Sequence, residues 1–241
     1  MTESFKQYSD VLLDAFAGNP RSSEIISKKK EILDDLMDYY GNNIKNILFL
    51  GFSPGMLDMK SIPIYVAEVS KNVETFLSGY GLDYELVDLT QEPAKKFDVI
   101  IAVDEYFTFA DNDLEQKSKV DLLCSLCNSF IVTTLKDYKN QDFKEKEFSQ
   151  PIVVRGVDSK KIYFEHYEFD LRDKNFSLGT NYIINDSDVT VIGPFPRRNM
   201  YFKQLAKFSL DAGASNFLVH KNLMHKSIIK KNYEHIITIK F

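Results

Sequence analysis

The sequence predicts an α/β protein with a doubly wound, mostly parallel sheet and an inserted antiparallel β-hairpin region. Three observations predict it. Short apolar runs alternate with helix-patterned segments from Ser22 to Lys136, at the pace of right-handed βαβ crossovers. The run Phe97–Val103 is almost continuously apolar, as a strand covered by helices on both faces must be. From Pro151 to Pro196 the chain turns instead to β-branched and aromatic residues punctuated by turn signals.

Ser22–Tyr40 reads as an amphipathic helix, because Ile25, Ile26, Ile32, Leu33, Leu36, Met37 and Tyr40 recur at intervals of three to four residues. Ser22 or Ser23 can cap its start and Gly41 can end it. Ile44–Leu50 is the first strand candidate, and Gly51-Phe52-Ser53-Pro54-Gly55 after it has turn chemistry. Ile64–Val69 is the second, Tyr84–Leu89 the third and Phe97–Val103 the fourth. Between them Asn72–Tyr80 is a helix closed by Gly79 and Gly81. Asp113–Cys127 is helical by pattern, with Val120, Leu123, Cys124 and Cys127 on one face, and Phe130–Thr134 is the fifth strand. Asp137–Gln150 is charged and irregular. Turn signals at Asp158-Ser159, Asp173-Lys174-Asn175 and Asn185-Asp186-Ser187 then divide the β-rich region into hairpins. A helix over Arg198–Ala212, ended by Gly213, and two strands, Asn216–His220 and Tyr233–Phe241, close the chain.

Composition narrows the class. The 241 residues are 44% hydrophobic and 27% charged, enough for one sizeable core and too balanced for a disordered chain. No apolar run approaches the roughly 20 residues of a membrane-spanning helix. The N-terminus lacks the basic-then-apolar build of a secretory signal. Two cysteines cannot make a disulfide scaffold, so the expected setting is reducing and cytoplasmic. Lysine outnumbers arginine 25 to 5, a bias that carries no mechanism. Charge is uneven: residues 197–241 carry nine Lys/Arg and two Asp/Glu, against 21 and 33 in residues 1–196. That basic segment leaves a nucleic-acid partner open, beside the plainer reading of a solvated face that balances an acidic body.

A sheet of this kind binds ligands beyond the carboxyl ends of its strands. Glycine in the turn after the first strand lets backbone approach a ligand, so Gly51 and Gly55 bracket the expected site, with the Ser53 hydroxyl as a donor. Glu68 ends the second strand, where a carboxylate can accept both hydroxyl hydrogens of a ribose. Asp88 ends the third strand, and Asp104 and Glu105 end the fourth.

The order of helix, NILFLGFSPG, IYVAEVS, YELVDLT, KFDVIIAVDEYF, helix and SFIVTTL resembles the class I methyltransferases that use S-adenosylmethionine. The resemblance covers about residues 22–136, and the closing helix with two strands is similar to the family's C-terminal end. It implies a seven-stranded sheet with the last strand inserted antiparallel, and S-adenosylmethionine as cofactor. It further implies that Gly51, Phe52, Ser53 and Gly55 face the methionine part, Glu68 holds the ribose, Asp88 lies on the adenine side, and Asp104 contacts the cofactor near the reacting centre. The sequence departs from the family's pattern at Phe49, where the family usually has an acid, at Ser53 in place of the middle glycine, and at Pro54. Methyl transfer from a sulfonium needs alignment and removal of one proton, a task for Asp104 or Glu105. The methyl acceptor is not legible.

The remaining features divide between chemistry and packing. Cys124 and Cys127 spell CxxC but lack a second pair for zinc and sit among leucines, which reads as a buried helix face. His166, His220, His225 and His235 have no metal-ligand spacing, so no metal is expected. Alternation puts Tyr163, Glu165, Tyr167 and Phe169 on one strand face and Phe164, His166 and Glu168 on the other. Such a surface either recognises a substrate or covers a hairpin or homo-oligomer contact. Arg197 and Arg198 fall at the expected start of the last helix, where the dipole disfavours cations; this marks them, with His166, as candidate substrate contacts.

The domain reading is a single domain in three parts: residues 1–136 with N-terminal helices and the cofactor-binding half, 137–196 as the β-rich insertion, and 197–241 as the closing helix and hairpin. Three functions compete with one another: an S-adenosylmethionine-dependent methyltransferase, a non-catalytic interaction or structural protein on the same fold, and a nucleic-acid binder. A generic Rossmann-like domain for another nucleotide is the alternative fold.

Overall fold

The computed structural model describes residues 3–20, 24–40, 43–59, 61–91, 95–136, 146–149, 151–155, 160–186, 188–220 and 234–241. Two helices lead the chain, α1 (Glu3–Gly18) and α2 (Glu24–Tyr40). Then follow β1 (Ile47–Leu50), β2 (Ile64–Ala67), α3 (Lys71–Tyr80), β3 (Tyr84–Leu86), β4 (Phe97–Ala102), α4 (Asp113–Leu126) and β5 (Cys127–Lys136). Five antiparallel strands come next: β6 (Lys146–Phe148), β7 (Ile152–Arg155), β8 (Lys160–Phe169), β9 (Phe176–Asn185) and β10 (Asp188–Arg198). Helix α5 (Phe202–Asp211) and strands β11 (Asn216–His220) and β12 (Glu234–Lys240) complete the fold.

The main sheet has seven strands in the order β11-β12-β5-β4-β1-β2-β3. The pairs among β1 to β5 are parallel, and β12 enters antiparallel between β5 and β11. This is the doubly wound arrangement read from the sequence. Each strand residue faces one of two layers because side chains alternate. On one face Leu48, Leu50, Ile100 and Ala102 pack with Val120 and Leu123 of α4 and Leu205 of α5. On the other, Ile47, Phe49, Val99 and Ile101 pack with Ile32, Leu33 and Leu36 of α2 and Val73 and Leu77 of α3. Phe49, at the position expected to be acidic in this fold, is fully buried in that second layer.

Helix α1 joins everything. Phe5 belongs to the first core layer, Leu12 to the second, and Val11 and Ala15 to a third cluster with Val154, Tyr163 and Ile183 of the second sheet. Asp14 clamps that junction, accepting from Lys161 Nζ at 2.5 Å and from the Tyr163 hydroxyl at 2.9 Å. The second sheet runs β10-β9-β8-β6, with β7 also paired to β8.

Several boundaries differ from the sequence reading. Strand β1 begins at Ile47 rather than Ile44, β3 stops at Leu86, and β5 starts at Cys127, directly after α4. The largest difference concerns Arg197 and Arg198. They continue β10, with Arg197 opposite Ser177 and Arg198 opposite Phe176, and the last helix starts only at Phe202. Pro194 and Pro196 are accommodated because β10 is an edge strand, where a missing N–H is tolerated. The conflict with a helix dipole therefore does not arise. The caps expected at Ser22, Ser23 and Gly41, and the turn at Asp158-Ser159, lie outside the described residues. The same holds for most of the irregular Asp137–Gln150 segment, for His225, and for Lys221, Lys226, Lys230 and Lys231 of the basic C-terminal segment.

Candidate functional site

Strands β1 and β4 are neighbours whose crossovers leave in opposite directions, which opens the crevice where ligands bind in open α/β sheets. The chain ends there are strained. Gly51 has φ 73°, and Glu68, Asp104 and Glu105 have φ 55°, 59° and 55°, in the left-handed region that L-residues avoid. Such conformations cost on the order of 1–3 kcal/mol each and cluster at functional sites. The fourth described non-glycine residue of this kind, Asp186, sits in a hairpin turn.

The turn itself is closed from above by the two leading helices. A Cβ on Gly51 would meet the Phe5 ring at 2.9 Å and the Ser9 hydroxyl at 3.3 Å. A Cβ on Gly55 would overlap Leu33 Cδ1 and lie 3.4 Å from Leu33 Cβ and Cγ. The two glycines therefore admit α1 and α2 in this structure. The Phe52 ring is fully buried, edge-on to Phe16 of α1 and Phe76 of α3 with centroids 5.7 Å apart in each case. Pro54 opens a short 3₁₀ turn, Pro54–Asp58. The buried Ser53 hydroxyl has no hydrogen-bond partner among the described residues.

Four charged side chains, Lys29, Asp104, Glu68 and Lys119, gather around the crevice. Lys29 of α2 is 4% exposed, donates to the Phe52 carbonyl at 2.7 Å, and forms an ion pair with Asp104. Burial lowers its pKa, and the Asp104 charge opposes that shift. Glu68 is 8% exposed; its carbonyl accepts from the Ser9 hydroxyl at 3.4 Å, while no hydrogen bond reaches its carboxylate among the described residues. Burial raises its pKa, against the pull of Lys6 and Lys119. Lys119 of α4 is itself buried, donates to the Phe109 carbonyl, and lies over the Tyr106 ring. Burial brings its pKa down to about 8.

Beside the crevice a ring of polar contacts joins the two sheets. Glu105 pairs with Lys136 of β5 at 2.7 Å, and Lys136 donates to the Tyr167 hydroxyl at 3.2 Å. Tyr167 donates to Glu165 Oε2 at 2.6 Å, and Arg197 donates to Glu165 Oε1 at 2.9 Å. Arg197 also donates to the Thr108 hydroxyl at 3.4 Å, which in turn donates to the Glu105 carbonyl at 2.8 Å. The Arg197 guanidinium lies 3.4 Å from the Phe109 ring centroid. Tyr8 of α1 lies under it at 5.2 Å; burial, then the Asp104 and Glu165 charges, raise the Tyr8 pKa well above its usual value.

The structure thus brings Gly51, Phe52, Ser53, Gly55, Glu68, Asp104 and Glu105 just beyond the carboxyl ends of β1, β2 and β4, with Arg197 reaching Thr108 next to them. It does not bring the other candidates there. Asp88 is exposed, and its carboxylate accepts the backbone and hydroxyl of Thr90 at 2.9 and 2.6 Å, which lowers its pKa. Arg198 pairs with Asp113 and, at 2.7 Å, with Asp173, tying α4 to the turn between β8 and β9. His166 stacks on Phe148 at 4.6 Å, on the face of β8 opposite Glu165. Both cysteines are buried, and burial pushes each thiol up to about 12. Among the described residues no group of three His, Cys, Asp or Glu is arranged to hold a metal ion. Tyr8, Lys29, Lys119 and Lys136 were not singled out by the sequence. For Lys29 a signal exists: it shares the spacing Ile26, Lys29, Leu33, Leu36, the apolar face of α2.

Architecture and strand order define a class I methyltransferase fold, and solved structures agree. No protein-family model matches the sequence, and no curated protein matches it. The chain is similar to DesVI of Streptomyces venezuelae at TM-score 0.70 and 13% identity, over 96% of this chain and 97% of that one. It is also similar to the CcbJ methyltransferase of Streptomyces caelestis, at TM-score 0.66 and 12% identity over 99% and 98%. CalS10 of Micromonospora echinaspora, an amino pentose methyltransferase solved with S-adenosylmethionine bound, gives 0.64 and 11% over 96% and 97%. At these identities the likeness concerns the fold. Among the described residues no helix is long and apolar enough to cross a membrane.

Proposed function

We propose that this protein is an S-adenosylmethionine-dependent methyltransferase. One observation carries the reading: Glu68 is kept at a cost to the fold. The residue is 8% exposed, on a left-handed backbone just past β2, and none of the described residues donates a hydrogen bond to its carboxylate. An acceptor-only group held this way is matched by a ligand with paired hydroxyls, such as the cofactor's ribose. The unpartnered Ser53 hydroxyl and the strained ends of β2 and β4 support the same ligand. Glu68 as acceptor and Ser53 as donor fit the ribose side of an adenosyl ligand. The space beside Gly51 and Gly55 is taken by Phe5 and Leu33, so the cofactor reaches the loop with α1 and α2 displaced.

Bound there, the cofactor supplies an activated methyl group. The Gly51–Gly55 turn and Glu68 hold it, and Asp88, exposed beyond β3, is too engaged with Thr90 to be assigned a part. Among the chain's own residues, Asp104 and Glu105 orient the acceptor and take its proton. The acceptor approaches from the second sheet, past Tyr8, Tyr167 and Arg197, so residues 137–196 serve as the acceptor-side unit. Arg198 and His166 stand outside that path, each engaged elsewhere.

The experiment is isothermal titration of the wild type and Glu68→Gln with S-adenosylmethionine and S-adenosylhomocysteine, together with their thermal melting. Because burial penalises the Glu68 charge, Glu68→Gln is expected to melt higher than the wild type at neutral pH and to lose cofactor binding. Wild-type protein that binds neither compound at millimolar concentration, or a Glu68→Gln variant that binds both unchanged, refutes the reading.

A further inference from the structure

We propose that Lys29 holds the place of a ligand's cationic group, and that a cationic ligand enters the crevice by displacing it. The inference rests on the methyltransferase reading. Its ground is position. The Lys29 ammonium reaches across from α2 to the Phe52 carbonyl, at 2.7 Å, and to the Asp104 carboxylate. These acceptors stand just beyond β1 and β4, the strands that flank the crevice, so a side chain of the protein fills the opening where a ligand would sit. The reach is no surface accident, since the side chain is 4% exposed and lies on the apolar face of α2 with Ile26, Leu33 and Leu36.

Charge makes the two occupants exclusive. S-adenosylmethionine brings a sulfonium, an ammonium and one carboxylate, a net charge of +1, and among the described residues Asp104 is the carboxylate that balances Lys29. With the ligand's own carboxylate balancing one of its cations, the other competes with the buried Lys29 ammonium for Asp104, and the loser is left unpaired in a low-dielectric site. The cheaper outcome is that Lys29 leaves its buried position. Leu33 is one turn further along α2, seated on Gly55, and Phe5 of α1 sits on Gly51. Displacing Lys29 therefore lifts the same helix surface that covers the loop, and ligand entry and helix opening are one event. Apparent affinity is reduced by the fraction of molecules in which Lys29 is already out.

Two measurements test this. First, S-adenosylmethionine is titrated calorimetrically into the wild type, Lys29→Gln, Lys29→Met and Lys29→Arg. The neutral variants are expected to bind about fivefold tighter or more, in the usual range of a coupling between two occupants. Lys29→Arg keeps the cation and is expected to stay near the wild type. Equal or weaker binding by Lys29→Gln and Lys29→Met overturns the proposal while leaving the cofactor reading standing. So does tightening by Lys29→Arg to the same extent, because general loosening of α2 would then suffice. Second, wild-type protein is acylated briefly with an N-hydroxysuccinimide ester, with and without saturating S-adenosylmethionine, whose net positive charge seeks the same carboxylate. Modification at Lys29 is read by peptide mass spectrometry. Lys29 is expected to be protected alone and to react when ligand is bound; protection in both states overturns the proposal even where a variant fails to fold. Absence of binding by every form removes the cofactor reading, and this inference with it.

Discussion

The seating of α2 on the first turn is testable through Gly55 and Leu33. Leu33 is 2% exposed, so Leu33→Ala removes a fully packed side chain and is expected to cost about 2–5 kcal/mol. Gly55→Ala adds one methyl that overlaps Leu33 Cδ1 and presses on its Cβ and Cγ at 3.4 Å. The Gly55 backbone is outside the left-handed region, so the cost is steric alone: about 1–3 kcal/mol of overpacking, offset by about 0.4–1 kcal/mol from a less flexible unfolded chain. In the double variant the new methyl fills part of the space that Leu33 vacates. The two losses are therefore expected to fall short of additive by about 1 kcal/mol or more. Urea unfolding followed by circular dichroism measures this, since 1 kcal/mol moves the midpoint by about 0.5 M for a slope near 2 kcal/mol per M. Additivity within about 0.5 kcal/mol would mean that α2 does not sit on the loop, and the closed crevice would be wrong.

Two further outcomes follow from the buried charges. Lys119 has its pKa lowered to about 8 by burial, so from pH 8 upward the unfolded state binds more protons than the folded one and stability rises with pH. The unfolding free energy of the wild type relative to Lys119→Met is expected to increase by about 1.5 kcal/mol between pH 8.5 and 10, and a flat difference would contradict its burial. Arg197 and Glu165 have side chains 6% and 10% exposed and bond at 2.9 Å. Arg197→Ala strands the carboxylate and is expected to cost about 3–5 kcal/mol in urea unfolding, whereas Arg197→Met with Glu165→Leu recovers most of the loss. A mild single loss, below about 1 kcal/mol, would show that the pair is hydrated.

The order of elements was legible because it is written locally. Apolar runs bounded by Gly, Pro and Asn end a strand wherever they occur, so Glu68, Asp104 and Glu105 could be placed at strand ends from sequence alone. Alternation likewise set the two faces of β8, and the structure has Tyr163 and Glu165 buried with His166 on the other side. Local signals misled where one residue serves two patterns. Pro196 marks a helix entry and an edge strand equally well, and only the register of β10 against β9 selects the strand. Helix α1 carried a readable spacing in Phe5, Tyr8, Leu12 and Ala15, but nothing local says that its three sides meet three clusters.

By itself, then, the sequence determined the class of sheet, the direction of its strands and the carboxylates at their ends, since periodicity and turn chemistry act over a few residues. Tertiary structure alone decided what those carboxylates face. Lys29 meets Asp104 and Arg197 meets Glu165 across long stretches of chain, Phe5 closes on Gly51, and Glu68 is left without a donor among the described residues. Such pairings depend on which elements the fold stacks together. A burial cost or a charge balance exists only once that stacking has excluded water.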